Sequence, residues 1–518
     1  MGISSVLHVT AIKPFTINFH HNVLKQWFIP LLIFSSLSLV TNLAVSNVYG
    51  VDEPPYTLNV KIETMVDGLR ACGVSFVFVP DGRIFCGELA RGEVRVIENW
   101  QVLPEPLIKL DVYQTVKPSG LGDERGLIGI AIDPEFEKNH YVYLHWTYLD
   151  ADTQQPYKRI ARFTESNNKL TNMYIILDKI PAGYEHVGGP LEFGPDGKLY
   201  ITGGDSTQRL QAQNASSPLG KVLRLNPDGS IPDDNPFPGL PTYTMGHRNV
   251  FGIGFHPITN IPYVTENGIS ENDEVNMLIP GKNYGWPDVT GKNNDERFVD
   301  PLLTFTPTVA PTELIFYTGT KYPEEVNNMF FVTWGERTLY RVILKPPSYD
   351  EVLSFDKFNI PLDRSSLTDI EQGPDGYLYA SSFRSIVRLV FDYSNIATTI
   401  SLDVKSDTEA HESIKLTARI LDYFGNPIPN VSIDFFDSDE LIGSAVSNEE
   451  GIAQLEYTSD SANEHTFNAK FSGDPKYKAS YSPNVIPEFP IHVSMFVMAG
   501  ILAISTVLFN YRRFIKYI

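Results

Sequence analysis

Residues 194–200, Gly194-Pro-Asp-Gly-Lys-Leu-Tyr200, decide the fold. Proline presets φ at the first corner of a tight turn, glycine accepts a positive φ at a later corner, and the apolar run after them reads as a strand. A second strand, GKVLRL at 220–225, follows and sets an arginine beside its last apolar residue. The same unit stands at Val79-Pro-Asp-Gly, followed by GEVRVI, and at Gly373-Pro-Asp-Gly, followed by SIVRLV. Looser copies begin at Asp133-Pro134 before HYVYLHW, at His256-Pro257 before IPYVTE, and at Pro323 before NNMFFVTW. The marker prolines are Pro80, Pro134, Pro195, Pro257, Pro323 and Pro374, separated by 54, 61, 62, 66 and 51 residues. Six quasi-periodic all-β units predict a six-bladed β-propeller over residues 57–393, since a blade is about four short strands. Two ordinary β-sandwiches are the competing architecture, but they require no unit repeated six times.

After Asp392 the texture changes. Residues 398–485 lose the Pro-Asp-Gly punctuation and alternate with period two, as in Thr398–Val404 and Ser413–Ile420. The stretches DYFGNPIPNVSIDFF, SNEEGIAQLEY and HTFNAKFSGDPKYKAS read as strands joined by tight turns. An immunoglobulin-like β-sandwich is expected here. It resembles the Ig-like modules of bacterial and archaeal surface proteins and carries no cluster of catalytic residue types.

Composition narrows the function classes. The 518-residue chain holds 62 acidic and 41 basic residues, a net charge of −21. Phosphate affinity comes from clustered Lys and Arg, so a nucleic-acid partner is excluded. With 42% hydrophobic and 12% aromatic residues, the chain can bury a large core and is not disordered. The two cysteines, Cys72 and Cys86, exclude a disulfide scaffold and a Cys-ligated zinc site. Whether they pair is left open by the sequence.

Both ends point to export. Within residues 1–50, the apolar run 27–45 follows Lys13 and Lys25 and precedes Asp52 and Glu53, the polarity of a signal peptide or an N-terminal membrane segment. Residues 491–510 are 20 uncharged residues, enough for one transmembrane helix, with a buried core helix as the alternative. Arg512, Arg513 and Lys516 in the tail 511–518 place that tail in the cytoplasm. The expectation is a single-pass cell-membrane protein with its bulk outside the cytoplasm. The sequons at Asn214 and Asn430 fit such a chain.

Four segments are richer in reactive side chains than folding requires. They are Glu124-Arg-Gly-Leu-Ile-Gly, His186-Val-Gly-Gly-Pro through Gly203-Gly-Asp205, Met245-Gly-His-Arg-Asn-Val, and Thr265-Glu-Asn-Gly-Ile-Ser-Glu-Asn-Asp-Glu-Val-Asn with Asn283-Tyr-Gly-Trp-Pro. Loops on one face of a propeller converge on its central channel, so residues far apart in sequence can meet there. Alone, His186 reads as a structural histidine; with Asp205 and Arg248 in one constellation it reads as a site residue. His247 reads as a buried hydrogen-bonding residue, and Tyr284 and Trp286 as packing.

In this order, these motifs resemble the glucose/sorbosone dehydrogenase family, soluble sugar dehydrogenases dependent on pyrroloquinoline quinone (PQQ). The resemblance covers about residues 57–393. It implies oxidation of an aldose C1 hydroxyl, or of a similar small alcohol, to the lactone with hydride transfer to PQQ. By motif position His186 is the base, Asp205 orients it, and Arg248 stabilises the charge arriving on the quinone. An imidazole suits proton acceptance near neutral pH, and a carboxylate on its other nitrogen fixes the tautomer. Asn249, Thr308 and Arg337 are the further cofactor-side positions. Calcium, the family's second cofactor, falls to Gly268 and Ile269 through backbone carbonyls, with Asp273 and Glu274 in the same loop. An electron acceptor outside the cytoplasm is implied as a partner.

The chain also departs from that pattern. The family's Arg-x-Arg-Asp segment reads Ser366-Leu-Thr-Asp369 here, the family lysine aligns near Gly335-Glu336, and Asn267 replaces a His or Gln. PQQ carries three carboxylates that need cations, so Arg337, Arg364 or Arg384 must substitute, or the cofactor is not PQQ. The alternative function is a non-catalytic cell-surface propeller that binds carbohydrate or protein.

Overall fold

The computed structural model describes residues 55–69, 72–115, 123–362, 366–406, 413–458 and 465–486. The expected export segment 1–50, transmembrane helix 491–510, basic tail 511–518 and Arg364 lie outside the described residues. Among the described residues, no helix is long and apolar enough to cross a membrane.

Six antiparallel sheets follow one another along the chain. Their first strands are Cys72–Phe78, Leu127–Ile132, Leu191–Phe193, Val250–Phe255, Pro311–Phe316 and Leu367–Gln372. Each of these packs against the first strands of the sheets before and after it, which closes a ring around a central channel. The six-bladed propeller read from the prolines is therefore the observed fold, and each marker proline sits between the first and second strands of a blade.

The ring is locked by a strand that the repeat did not reveal. Thr57–Val66 forms the outer edge of the sixth blade, antiparallel to Ile386–Ser394, with Thr57 opposite Ser394 and Val66 opposite Ile386. Both ends of the propeller thereby share one sheet.

Apolar alternation along each strand fills the wedges between blades. Phe85, Val96, Leu127 and Trp146 fill one such wedge, Tyr143, Ile160, Leu199 and Leu223 the next, and Phe330, Val332, Leu378 and Leu389 another. Burying each side chain of this size contributes about 1.5–3 kcal/mol. In backbone register Cys72 stands opposite Glu88 and Phe76 opposite Cys86, and Cys86 is disulfide-bonded.

Residues 398–481 form two facing antiparallel sheets. One holds Thr398–Ser406, Ser413–Asp422 and Ile452–Thr458; the other holds Ser432–Asp437, Glu440–Val446, Phe467–Phe471 and Ser480–Tyr481. Leu416, Ile420, Ile433, Phe435 and Phe467 lie between them. A backbone bridge from Ile396 to Tyr477 and the rings of Tyr56, Tyr393 and Phe424 join this sandwich to the propeller.

Strand polarity sorts the loops. Pro-Asp-Gly turns gather on one face of the propeller. Loops entering each first strand, and hairpins between second and third strands, gather on the other, and the polar segments 182–190, 203–220, 246–249, 267–272 and 306–310 all belong to that second face.

Candidate active site

Three of the loops on that face meet at one imidazole. His186 Nδ1 lies 2.8 Å from Asp205 Oδ1, and His186 Nε2 lies 2.8 Å from Nη2 of Arg248. Guanidinium has donors only, so Nε2 must be the acceptor and the ring proton sits on Nδ1, facing Asp205. The expected trio of His186, Asp205 and Arg248 therefore occupies a single site.

The backbone beneath is tightly held. His186 adopts φ +56°, a left-handed conformation that non-glycine residues rarely take. Its N–H donates to Glu124 Oε2 at 2.6 Å, and its C=O accepts from Ser206 N at 3.0 Å. Gly204 must be glycine here: a Cβ would stand 2.1 Å from the His186 carbonyl oxygen and 2.8 Å from Asn249 Oδ1.

Asp205 is nearly fully buried. Burial alone would raise its carboxyl, but hydrogen bonds from His186, from Trp286 Nε1 at 2.8 Å and from Thr207 N at 2.7 Å hold it below the usual carboxylate value. The same Trp286 ring lies 5.6 Å from the Arg248 guanidinium. Trp286 thus touches both partners of the imidazole, where its sequence reading was packing alone.

Burial lowers the Arg248 pKa, against the charges of Asp205, Glu266, Glu124 and Asp273. Its Nη1 donates to Asn267 O at 2.7 Å and its backbone N–H to Glu266, while Nε is buried without a partner among the described residues. Glu266 also accepts from His247 Nδ1 at 2.8 Å, and His247 Nε2 meets Thr244 Oγ1 at 2.9 Å while the ring stacks on Tyr284. His247 is a satisfied structural histidine, as its sequence reading held.

Asn249, Thr308 and Arg337 are the further expected positions. Asn249 is buried and its Oδ1 accepts from Gly188 N at 3.3 Å, so it ties two loops together. Thr308 is half-buried beside Val309 and Ala310. Arg337 is exposed on the turn after Gly335, and Trp334 of that turn meets Phe383 beside exposed Arg384 at 4.9 Å. Neither arginine forms an ion pair among the described residues.

Asp273 and Glu274, expected on the metal side, both accept hydrogen bonds from backbone N–H groups. Asp273 accepts from Gly268 N, Val309 N and Ala310 N, each at 2.7 Å. Glu274 accepts from Gly291 N at 2.7 Å and Asn276 Nδ2 at 2.9 Å, and burial with the Glu266 charge pushes it up to about 7. Both carboxylates brace loops. Gly268 donates to that brace, and Ile269 is 63% exposed on the turn. Among the described residues, no group of three or more His, Cys, Asp or Glu side chains is arranged to hold a metal.

The model of the glucose/sorbosone dehydrogenase family matches residues 72–388. The chain belongs to this family. The uncharacterised protein slr1608 of Synechocystis is 30% identical over 62% of this chain and 83% of its own. The aldose sugar dehydrogenase YliI of Escherichia coli is 28% identical over 63% of this chain and 90% of its own. Among solved structures, the PQQ-bound form of an aldose sugar dehydrogenase from Streptomyces coelicolor is 26% identical, covers 66% of this chain and all of its own, and superposes with a TM-score of 0.55. Sugar oxidoreductases of the glucose/sorbosone dehydrogenase family are thus this chain's relatives, and the match spans the propeller that holds His186, Asp205 and Arg248.

Proposed function

We propose that this chain is a PQQ-dependent dehydrogenase that oxidises the C1 hydroxyl of an aldose. The reading also places it on the outer face of the cell membrane, held by residues 491–510, with the 398–485 sandwich as an Ig-like spacer. The observation that carries the catalytic part is His186 between Asp205 and Arg248.

His186 Nε2 takes the proton of the sugar hydroxyl, and Asp205 keeps the opposite ring proton in place and balances the imidazolium that forms. PQQ, when bound, would supply the two-electron acceptor for the hydride, and the sugar would leave as the lactone. Arg248 carries the fixed positive charge that such a transfer needs. Its Nε, buried and without a partner among the described residues, would be available to hold the cofactor. Arg337 and Arg384 stand on two turns joined by the Trp334–Phe383 contact and would hold the cofactor's carboxylates in place of the cations that Ser366 and Thr368 do not supply. Calcium would rest on the carbonyls of Gly268 and Ile269, since Asp273 and Glu274 already serve backbone donors.

Reconstitution of the purified protein with PQQ and calcium tests this. Dye-linked oxidation of an aldose is expected, and His186→Ala abolishes it. No turnover across a broad sugar panel, with no spectral change of the cofactor, would replace this reading with a non-catalytic binding propeller.

A further inference from the structure

Lys158 lies in the strand Pro156–Ser166 of the second blade and is 1% exposed. Its ammonium has one hydrogen bond among the described residues, 2.8 Å to the carbonyl oxygen of Val187, the residue after His186. Another buried lysine, Lys221, shows the contrast. Its Nζ donates to the carbonyls of Gln211, Ala212 and Leu219 at 2.8–3.0 Å, a full set that pins a loop. Lys158 lacks that set, and the carboxylate acting on it is Asp205, the partner of the imidazole.

The loop it grips is the strained one. His186 is held left-handed by Glu124 and Ser206, and Gly189 O meets His145 Nδ1 at 3.3 Å from the strand beside Lys158. Such conformations persist only where the surroundings over-determine them. Lys158 closes that set from beneath, between His186 and Gly189.

We infer that Lys158 is a positioning residue for the proposed dehydrogenase, holding the His186 loop and setting the base strength of His186 through the charge it shares with Asp205. The inference rests on the proposed function for its meaning but not for its test. The groups acting on Lys158 are His145 on the adjacent strand and Asp205 from the next blade, with His186 and Arg248 beyond Asp205. Burial pushes the Lys158 ammonium down to about 7, with Asp205 pulling the other way, so its charge changes in the range where a histidine works. While charged, it competes with the imidazolium for Asp205.

The test is an NMR titration of the His186 ring in the cofactor-free protein, which reads the coupling without turnover. Lys158→Met is expected to move His186 protonation to higher pH by about one unit, and Lys158→Arg to return it, because a nearby like charge disfavours the imidazolium. In the wild type, the His186 shifts are expected to bend a second time near neutral pH as Lys158 titrates, a measurement that needs no variant to fold. If activity is found, Lys158→Met lowers kcat about 10- to 100-fold with little change in KM, and moves the acid limb of the pH profile upward. A folded Lys158→Met protein with an unchanged His186 titration, or a single inflection in the wild type, overturns the inference, whether or not the protein proves to be a dehydrogenase.

Discussion

Arg248 donates from Nη2 into Nε2 of His186 at 2.8 Å, the lone pair that in the proposed reaction accepts the proton of the sugar hydroxyl. A substrate hydroxyl therefore replaces the guanidinium at that nitrogen. Arg248 can yield because its other anchor, Asn267 O at 2.7 Å, keeps it beside the ring. Lysine has one point of attachment and cannot hold both contacts. Arg248→Lys is expected to lower kcat about 10²- to 10³-fold while KM changes less, in steady-state kinetics of the reconstituted protein. An equal fall in kcat and rise in KM would assign Arg248 to substrate binding instead.

Trp286 ties Asp205 to Arg248 through one ring. Trp286→Phe keeps an aromatic face over the guanidinium and removes the N–H that Asp205 accepts. Losing a hydrogen bond to a buried charged group costs about 1.5–3 kcal/mol. The expected outcome is a Tm lower by several degrees and a kcat reduced at least about 10-fold. A variant with wild-type kcat would show that the second oxygen of Asp205 has no part in holding the imidazole.

The propeller was legible in the sequence because its signal is repetitive and local: each blade needs the same Pro-Asp-Gly corner before its second strand. The closing strand Thr57–Val66 was not, because it precedes the first marker and pairs with residues more than 300 positions away. At the site, His186, Asp205 and Arg248 could be named from motif order. Asp273 and Glu274 could be named from their loop, but the backbone N–H groups they accept from could not, since sequence does not show which donors a buried carboxylate meets. Lys158 gave no signal, because a lysine in a strand that also carries Arg159, Arg162 and Glu165 reads as a solvated side chain until burial is known.

Gly204 passes directly under the His186 carbonyl. Gly204→Ala forces a methyl group to 2.1 Å from that oxygen, and the obstacle is backbone, which cannot swing aside. The His186 loop must shift, and a displacement of about 1 Å from a reacting geometry costs on the order of 10²-fold in rate. Activity is expected to fall by that order, with circular dichroism showing the blades intact. Retained activity would mean that the loop tolerates movement and that the left-handed His186 backbone is not needed for function.

The opposite end of the channel makes its own prediction about pH. Glu192, Glu313, Asp369 and Glu371 line a cavity of about 410 Å³ enclosed by the first strands, and no basic side chain lines it. Burial and mutual repulsion push Glu192 up to about 8, Asp369 rises to about 7 by burial against the N–H groups of Phe76 and Ile370, and Glu313 and Glu371 lie well above the usual carboxylate value. Raised carboxyls keep protons in the folded state that the unfolded chain has already released, so their stabilising effect is complete below about pH 4 and is lost as pH rises through 7 and 8. The contribution of these four carboxyls therefore falls toward alkaline pH, opposite in sign to that of Asp205, whose lowered carboxyl stabilises the fold except in acid, and to that of Lys158, whose lowered ammonium favours the fold as pH rises above 7. Glu192→Gln is expected to raise Tm at pH 8 by about 2–5 °C and to leave it nearly unchanged at pH 5, in paired thermal melts. A Tm for the wild type that rises steadily from pH 6 to pH 9 would show that the channel carboxylates are ionised without penalty.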